Sequence, residues 1–406
     1  MSLLDNKSFC AKLWTHLHLY STGDVRACCV MVGDKNVGNL ETNSLKEIWN
    51  SPKMMQYRKD MLEGKKINAC MKCWSKEEAG TVSYRMDYNS YYKDRLDKIT
   101  ANTDKNGFEH NFNIISWDIR FSNKCNFKCR MCNPGASSSW VQDAIKLTDN
   151  KEEIKRLVTL ENVEGKSSID FLKENIEKVE YIYFAGGEPL LMDEHYEVLE
   201  LLIKNNNFCT IAYNTNLSTL KYKKWNVLDF WKKWPKEKLW VMPSIDEIGE
   251  RAELIRKGTK WEEVENNLKT LISHGVQLQP NITTSCMSVG RLPEILQYFF
   301  DNKILLNSRN YLNFTLGAVY IPNMHINVLT DEIKNQVIEK LNKFNKNFIV
   351  NTEPKTGYIL KLLKQPHKPE YARQFVDYTL KLDKIRGEDT FKTIPELLPI
   401  YELYKP

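Results

Sequence analysis

The stretch Asp118-Ile-Arg-Phe-Ser-Asn-Lys-Cys125-Asn-Phe-Lys-Cys129-Arg-Met-Cys132-Asn-Pro134 decides how this chain is read. Three residues separate the first two cysteines, two separate the second pair, and no further cysteine or histidine follows at close spacing. Three thiolates on one short loop can each hold one iron of a 4Fe–4S cube, which leaves the fourth iron open to a non-protein ligand. A structural zinc site normally has four protein ligands, and this stretch supplies three. Three incidental buried thiols are the remaining reading of these residues alone.

The triplet directly follows an apolar run at 114–121, the first of six strand candidates. The others lie at 179–185, 208–214, 239–245, 276–285 and 311–321, with helical periodicity between them over 193–205, 261–273 and 291–301. After one long crossover the strand starts recur about every 30 to 35 residues, the rhythm of βα units. The fold class expected is therefore α/β, a partial (β/α)6 TIM-type barrel whose chemistry sits at the C-terminal strand ends. Further helices are expected near 330–345 and 369–386. The domains read as 1–110, a small cysteine-rich α+β domain with its connector; 111–325, the barrel core; and 326–406, a helical C-terminal extension.

The N-terminal segment carries a hairpin signal. Trp14 to Tyr20 alternates, Ser21-Thr-Gly23-Asp24 turns the chain with Gly23 free to take positive φ, and Val25 to Val30 returns. That hairpin brings Cys10 and Cys28 toward one end. Ser44-Leu-Lys-Glu47 is a capping box opening a short helix, and Ser51-Pro52 restarts a helix that Gly64 stops. Cys70-Met-Lys-Cys73 is expected on the loop that follows, and residues 82–110 as a polar connector.

Composition sets the outer bounds. The chain has 406 residues, 42% hydrophobic, with a net charge of +6. That mild excess is not the dense basic face of a nucleic-acid binder. No run approaches the roughly 18 apolar residues of a membrane span. The start, Met1-Ser-Leu-Leu-Asp-Asn-Lys, has no apolar signal core, so a cytoplasmic location and no membrane partner are expected. In that compartment thiols stay reduced, and metal or cluster ligation outranks a disulfide framework for the ten cysteines.

The central triplet resembles the signature of the radical S-adenosylmethionine (SAM) superfamily, and further segments follow in that family's order. Phe184-Ala-Gly186-Gly187-Glu188-Pro189 is similar to the edge that binds the amino group of SAM. Tyr213-Asn214-Thr215-Asn216-Leu217 is similar to a Thr-Asn-Gly segment, with Leu217 where glycine is usual. Pro243-Ser244-Ile245-Asp246-Glu247 is similar to a Ser-Ile-Asp-Gly segment that contacts the ribose, with Glu247 in place of glycine. Glu253-Leu-Ile-Arg256 resembles a segment whose arginine reaches the SAM carboxylate. The resemblance implies cofactor-binding roles for Gly186, Gly187, Glu188, Asn214, Ser244, Asp246 and Arg256, and a SAM-binding 4Fe–4S cluster on Cys125, Cys129 and Cys132. It also implies reductive cleavage of SAM and hydrogen-atom abstraction from a substrate. No residue is singled out as exchanging a proton or hydrogen with that substrate.

Twelve residues separate Cys10 from Gly23 and four separate Gly23 from Cys28. This spacing, with Trp49, Arg58 and Gly64 before Cys70-x-x-Cys73, resembles the auxiliary-cluster domains called SPASM or twitch. Four thiolates, Cys10, Cys28, Cys70 and Cys73, suit either an auxiliary 4Fe–4S cluster or zinc. Cys28 is preferred to Cys29 because its distance from Gly23 matches. His16 and His18 share one strand face and read as satisfied strand residues. Cys209 and Cys286 read as packing residues, with Cys286 at a strand end facing the presumed cavity.

Families with such a domain often modify peptides, so the resemblance implies a peptide or protein substrate, an auxiliary cluster aiding electron transfer or substrate binding, and an electron donor such as flavodoxin or ferredoxin. A small-molecule substrate, or a nucleotide, RNA or sugar derivative, is the alternative; Tyr91-Tyr-Lys and Trp231-Lys-Lys-Trp234 allow a nucleic acid without requiring one. A non-catalytic zinc-binding protein would leave the central triplet and Gly-Gly-Glu-Pro without purpose.

Overall fold

The computed structural model describes residues 3–148, 150–152, 165–304, 314–348 and 353–406. The chain forms two compact units. The first comprises Met1–Ser122, Leu160–Gly186 and Asp193–Ala212; the second comprises Asn123–Thr159, Gly187–Met192 and Tyr213–Pro406. These units cut across the boundaries expected at residues 110 and 325.

In the first unit, β1 (His16–Leu19) and β2 (Asp24–Arg26) form the expected hairpin, His18 opposite Arg26. Gly23 sits at φ 73° in its turn and donates to the Tyr20 carbonyl at 3.0 Å. The hairpin is shorter than its alternation suggested. Lys12–Thr15 is a helical turn, closed by the Thr15 hydroxyl donating to the Ala11 carbonyl at 2.9 Å. A further strand, β3 (Asn36–Asn39), pairs with β2 across a bulge.

On its other edge β1 lies parallel to β4 (Ser116–Ile119), which lies parallel to β5 (Tyr181–Phe184), and the start of β6 (Thr210–Thr215) follows beside β5. The N-terminal segment thus shares a sheet with the first barrel strand. Side chains alternate across a strand, and one face of this sheet is apolar: Leu17, Leu19, Trp117, Ile119, Ile182 and Phe184 are buried there.

Four helices cover the cysteine-bearing part: α1 (Leu45–Trp49), α2 (Pro52–Leu62), α3 (Met71–Glu78) and α4 (Tyr84–Tyr91). The capping box of α1 is present, Ser44 and Glu47 bonding each other's backbone, and Gly64 follows α2 at φ 79°. Two expectations are corrected. Cys70 ends a 3-10 turn and Cys73 lies in the first turn of α3, so neither is on a loop. Residues 82–110 are not a plain connector, because Ser83 caps α4 and its polar side chains bind backbone. Arg85 and Asn89 donate to the Phe9 carbonyl at 2.9 and 2.8 Å, and Asn89 accepts from Ala11 N–H at 2.9 Å. Their polarity marks a clamp on the Cys10 loop rather than a solvated linker. The last helix of this unit, α5 (Asp193–Lys204), matches the helical stretch read at 193–205.

The second unit contains the end of β6, then β7 (Leu239–Pro243), β8 (Asn281–Thr284) and β9 (Thr315–Ala318). Ser244 N–H donates to the Thr215 carbonyl at 2.8 Å, single parallel pairs join Val241 to Leu278 and Ser244 to Asn281, and β8 runs parallel to β9. A strand is present at each of the six expected places, although residues 311–313 lie outside the described ones. Expected strand 276–285 shortens to β8 because Pro280 has no N–H to give a ladder. Helices α6 (Trp261–Ser273) and α7 (Leu292–Asp301) bury stripes such as Val264, Leu268 and Leu271.

The C-terminal segment forms α8 (Asp331–Asn347), α9 (Glu353–Leu363) and α10 (Pro369–Arg386), the last ending at Gly387 with φ 65°. Helix α9 was not anticipated. Among the described residues no helix is long and apolar enough to cross a membrane.

Candidate cluster and cofactor sites

In the second unit, the cysteine loop is held from three directions. Residues Lys128–Cys129 pair antiparallel with Arg256–Lys257, so Cys129 faces Arg256. Trp140 Nε1 donates to the Cys129 carbonyl at 2.6 Å, and the Ser139 hydroxyl to the Cys125 carbonyl at 2.7 Å. Phe127 N–H points at Cys125 Sγ, 3.4 Å away. Burial pushes the Cys125 and Cys132 thiols up to about 12 and also raises Cys129, against which Arg256 acts. These thiols stay protonated until a metal binds and displaces the protons.

The third direction was not legible in the sequence. The Arg130 guanidinium, wholly buried, donates through Nη2 to Asp383 on α10 and to Glu388 Oε2 at 2.5 Å. Arg386 Nε reaches Asp143 Oδ2 at 2.7 Å while its Nη2 donates to the Lys128 carbonyl at 2.8 Å. Tyr378 donates to the Arg130 carbonyl at 3.0 Å, and Cys132 packs against the cluster of Trp140, Val141 and Leu382. The C-terminal helix is therefore part of the cysteine loop's support. An arginine directly after Cys129 was the only local signal; its partners stand more than 250 residues away.

The other residues singled out gather at the ends of β6 and β7. Gly187 takes φ 53°, and a Cβ there would meet the Lys124 carbonyl oxygen at 2.2 Å. Glu188 is buried and accepts from Thr215 Oγ1 at 2.7 Å, Asn216 N–H at 2.6 Å and Leu190 N–H at 3.2 Å. Burial lifts its carboxyl to about 7 against the pull of those donors. Asn214 Oδ1 is buried without a hydrogen-bond partner among the described residues. Ser244 is half-buried beside Thr215.

Asp246 is already engaged: Oδ2 accepts from Arg256 Nε and Oδ1 from Thr283 N–H, both at 2.7 Å. Arg256 Nη1 in turn lies 3.8 Å from Cys129 Sγ. Asp246 thus holds the arginine that faces the thiol. Leu217 occupies the left-handed region at φ 54°, which the glycine of the resembling segment would take freely. The strain of about 1–2 kcal/mol is offset by complete burial of its side chain. Glu247 does not have positive φ; that role falls to Gly249 at φ 61°. Gly186, at φ 78°, belongs to the first unit, where a Cβ would strike Arg120. The glycine at 187 is required by the close approach of the Lys124 carbonyl, and the orphaned Asn214 oxygen fits a ligand that brings a hydrogen-bond donor.

In the first unit, Cys10, Cys28, Cys70 and Cys73 line one small cavity of about 30 Å³ together with Lys12 and Arg85. The structure therefore brings together the four cysteines expected of the auxiliary site, and Cys29 is not among that lining. Burial raises Cys10 to about 11 and raises Cys70 and Cys73 as well. Among the described residues no three His, Cys, Asp or Glu side chains close around a single-metal position. Arg58, expected in this pattern, is buried over the Trp49 ring and donates to the Leu13 carbonyl at 2.9 Å. Cys209 and Cys286 are buried.

Residues 119–291 match the model of the radical SAM superfamily, and residues 10–74 match that of the SPASM iron–sulfur cluster-binding domain. Residues 119–291 therefore carry a radical SAM domain and residues 10–74 a SPASM domain. Members of that superfamily are enzymes whose cofactors are a 4Fe–4S cluster and SAM, and a SPASM domain adds auxiliary iron–sulfur ligation. No curated protein matches the chain. Among solved structures it is similar to native anSMEcpe with bound AdoMet, at 17% identity over 58% of this chain and 62% of that one, TM-score 0.39. It is also similar to SuiB of Streptococcus suis, at 13% identity over 82% and 69%, TM-score 0.40. The chain thus spans less than two thirds of the first of these.

Two outcomes follow from the geometry. Arg130→Met strips two buried carboxylates of their shared cation and is expected to destabilise the protein by about 3–5 kcal/mol, read from the denaturant midpoint, with Arg130→Lys recovering part. A loss below about 1 kcal/mol would contradict the role given to the pair.

The second concerns pH. Glu188 binds its proton more tightly folded, near 7, than at its ordinary 4.5, so its stabilising contribution is full below pH 4.5 and is lost as pH rises through 7. The span corresponds to about 3 kcal/mol. Cluster-free Glu188→Gln is expected to lose correspondingly less stability than the wild-type apoprotein between pH 4.5 and 7.5; identical slopes would refute the burial argument.

Proposed function

We propose that this protein reductively cleaves SAM at a 4Fe–4S cluster on Cys125, Cys129 and Cys132 and removes a hydrogen atom from a peptide or protein substrate. The observation that carries this reading is the three-cysteine loop at the end of β4, facing Arg256 and braced by α10. When bound, the cluster supplies the electron that splits a sulfur–carbon bond of SAM, and the resulting 5′-deoxyadenosyl radical abstracts the hydrogen.

The protein's own residues bind and orient. Gly186 and Gly187 admit a ligand close to the backbone, and Glu188 accepts from its ammonium group, which favours the ionised carboxylate. Asn214 and Ser244 offer polar contacts to the ribose, where Asp246 acts mainly by holding Arg256. Arg256 offers its remaining N–H groups to the SAM carboxylate beside Cys129. Cys10, Cys28, Cys70 and Cys73 would hold an auxiliary 4Fe–4S cluster in the first unit, which would supply an electron acceptor or help to hold the substrate. A flavodoxin or ferredoxin is the class of electron donor that suits this chemistry, in a cytoplasmic setting. The peptide substrate rests on the SPASM domain, whose relatives are often attached to peptide-modifying barrels.

Anaerobically reconstituted protein given SAM and dithionite is expected to release 5′-deoxyadenosine, and Cys129→Ala to release none. Wild-type protein loaded with iron and sulfide that leaves SAM intact would overturn the proposal.

A further inference from the structure

The cavity that gathers the four cysteines of the first unit is also lined by two cations, Lys12 and Arg85. Both reach the sulfurs through their backbone: Lys12 N–H faces Cys10, and Arg85 N–H faces Cys73. Their side chains differ. The Arg85 guanidinium is committed to its neighbours. Its Nε and Nη2 donate to Glu77 Oε1 and Oε2 at 2.9 and 2.7 Å, and its Nη1 donates to the Phe9 carbonyl at 2.9 Å. That bidentate pair cancels its charge locally.

Lys12 has no such partner. It opens the helical turn Lys12–Thr15, two residues after Cys10, and is half-buried. Its ammonium lies 4.3 Å from the centre of the Tyr88 ring, and among the described residues no carboxylate pairs with it. Of the acids that act on these cysteines, Glu77 is taken by Arg85. Asp118, on β4, lies 2.9 Å from His18 Nδ1 and 3.6 Å from Arg120 Nε. What Lys12 faces is sulfur. Although burial opposes it, Cys28, Cys29 and Cys10 hold the ammonium above its ordinary range.

A cation drawn partly out of water needs a counter-charge. In the apoprotein the face of the Tyr88 ring is a weak one, and protonated thiols offer none. Four thiolates on a 4Fe–4S cube make a net anion whose negative charge grows on reduction. An ammonium at its edge favours the reduced form, and local charge is one of the levers that set the potential of such clusters. A unit charge in a partly screened site is worth about tenfold in that equilibrium.

We propose that Lys12 is the counter-ion of the auxiliary cluster and holds its reduction potential up, which suits that cluster to receive an electron rather than only to hold substrate. The inference rests on the auxiliary-cluster reading above and assigns the tuning of the cluster to one side chain.

The test uses the full-length Cys125/Cys129/Cys132→Ala variant after anaerobic reconstitution, so that the auxiliary cluster alone is read. Its midpoint potential is measured by dithionite titration with redox mediators, followed by the EPR signal of the reduced cluster. The same titration is run with Lys12→Met, Lys12→Gln or Lys12→Arg added. Where the parent is half reduced, Lys12→Met and Lys12→Gln are expected to show a reduced-to-oxidised ratio about tenfold lower, a midpoint about 59 mV more negative. Lys12→Arg is expected to stay near the parent. Iron kept by Lys12→Arg but lost from Lys12→Met and Lys12→Gln would also support the counter-ion role. A midpoint in Lys12→Met at or above the parent's, an equal shift in Lys12→Arg, or loss of iron from Lys12→Arg along with the others would overturn this inference alone. A parent that takes up no iron would overturn the auxiliary cluster itself, and the inference with it.

Discussion

The buried guanidinium of Arg130 is the constraint on which the cysteine site depends. It follows Cys129 directly, is fully removed from water, and is neutralised by Asp383 and Glu388. A buried charge in such a place is worth little to stability in itself, since desolvation consumes much of the attraction. Its value is positional. With Arg386 on the Lys128 carbonyl and Tyr378 on the Arg130 carbonyl, it fixes the backbone on both sides of Cys129. A cluster site needs its ligands held in place before the metal arrives, and rigid elements hold them better than a free loop.

The same logic recurs in the cysteine-bearing part of the first unit, where Arg85 and Asn89 grip the Phe9 carbonyl and Arg58 the Leu13 carbonyl, on either side of Cys10. Burial raises Cys10, Cys70 and Cys73 in one place and Cys125, Cys129 and Cys132 in the other, so those thiols are neutral until metal displaces their protons. On the proposed assignment the two cysteine sets would differ in what they leave open: three thiolates would leave one iron for SAM, and four would leave none.

What was legible in the sequence was what is local or periodic. Helices α6 and α10 span the residues that their apolar spacing marks, 261–273 and 369–386, and the capping box of α1 is written in four residues. The triplet, the glycine pair before Glu188 and the cysteine spacing of the first unit were legible as motifs. The rest depended on contacts distant in sequence. Nothing near His16 announces that β1 lies beside β4, a hundred residues on, and Arg130 cannot name Asp383. Residues 82–110 misled because polar side chains that bind backbone look like polar side chains that bind water. Leu217 misled in the other direction, since a buried leucine holds the left-handed backbone where glycine was expected.

The central claim is that two separate cysteine sets each build a 4Fe–4S cluster. Iron and acid-labile sulfide, counted after anaerobic reconstitution of wild-type protein and of the Cys125/Cys129/Cys132→Ala variant, test it most directly. About eight irons per chain, falling to about four in the variant, are expected. About four irons in both proteins would show that the central triplet holds no cluster, and the assignment of SAM cleavage to it would fail.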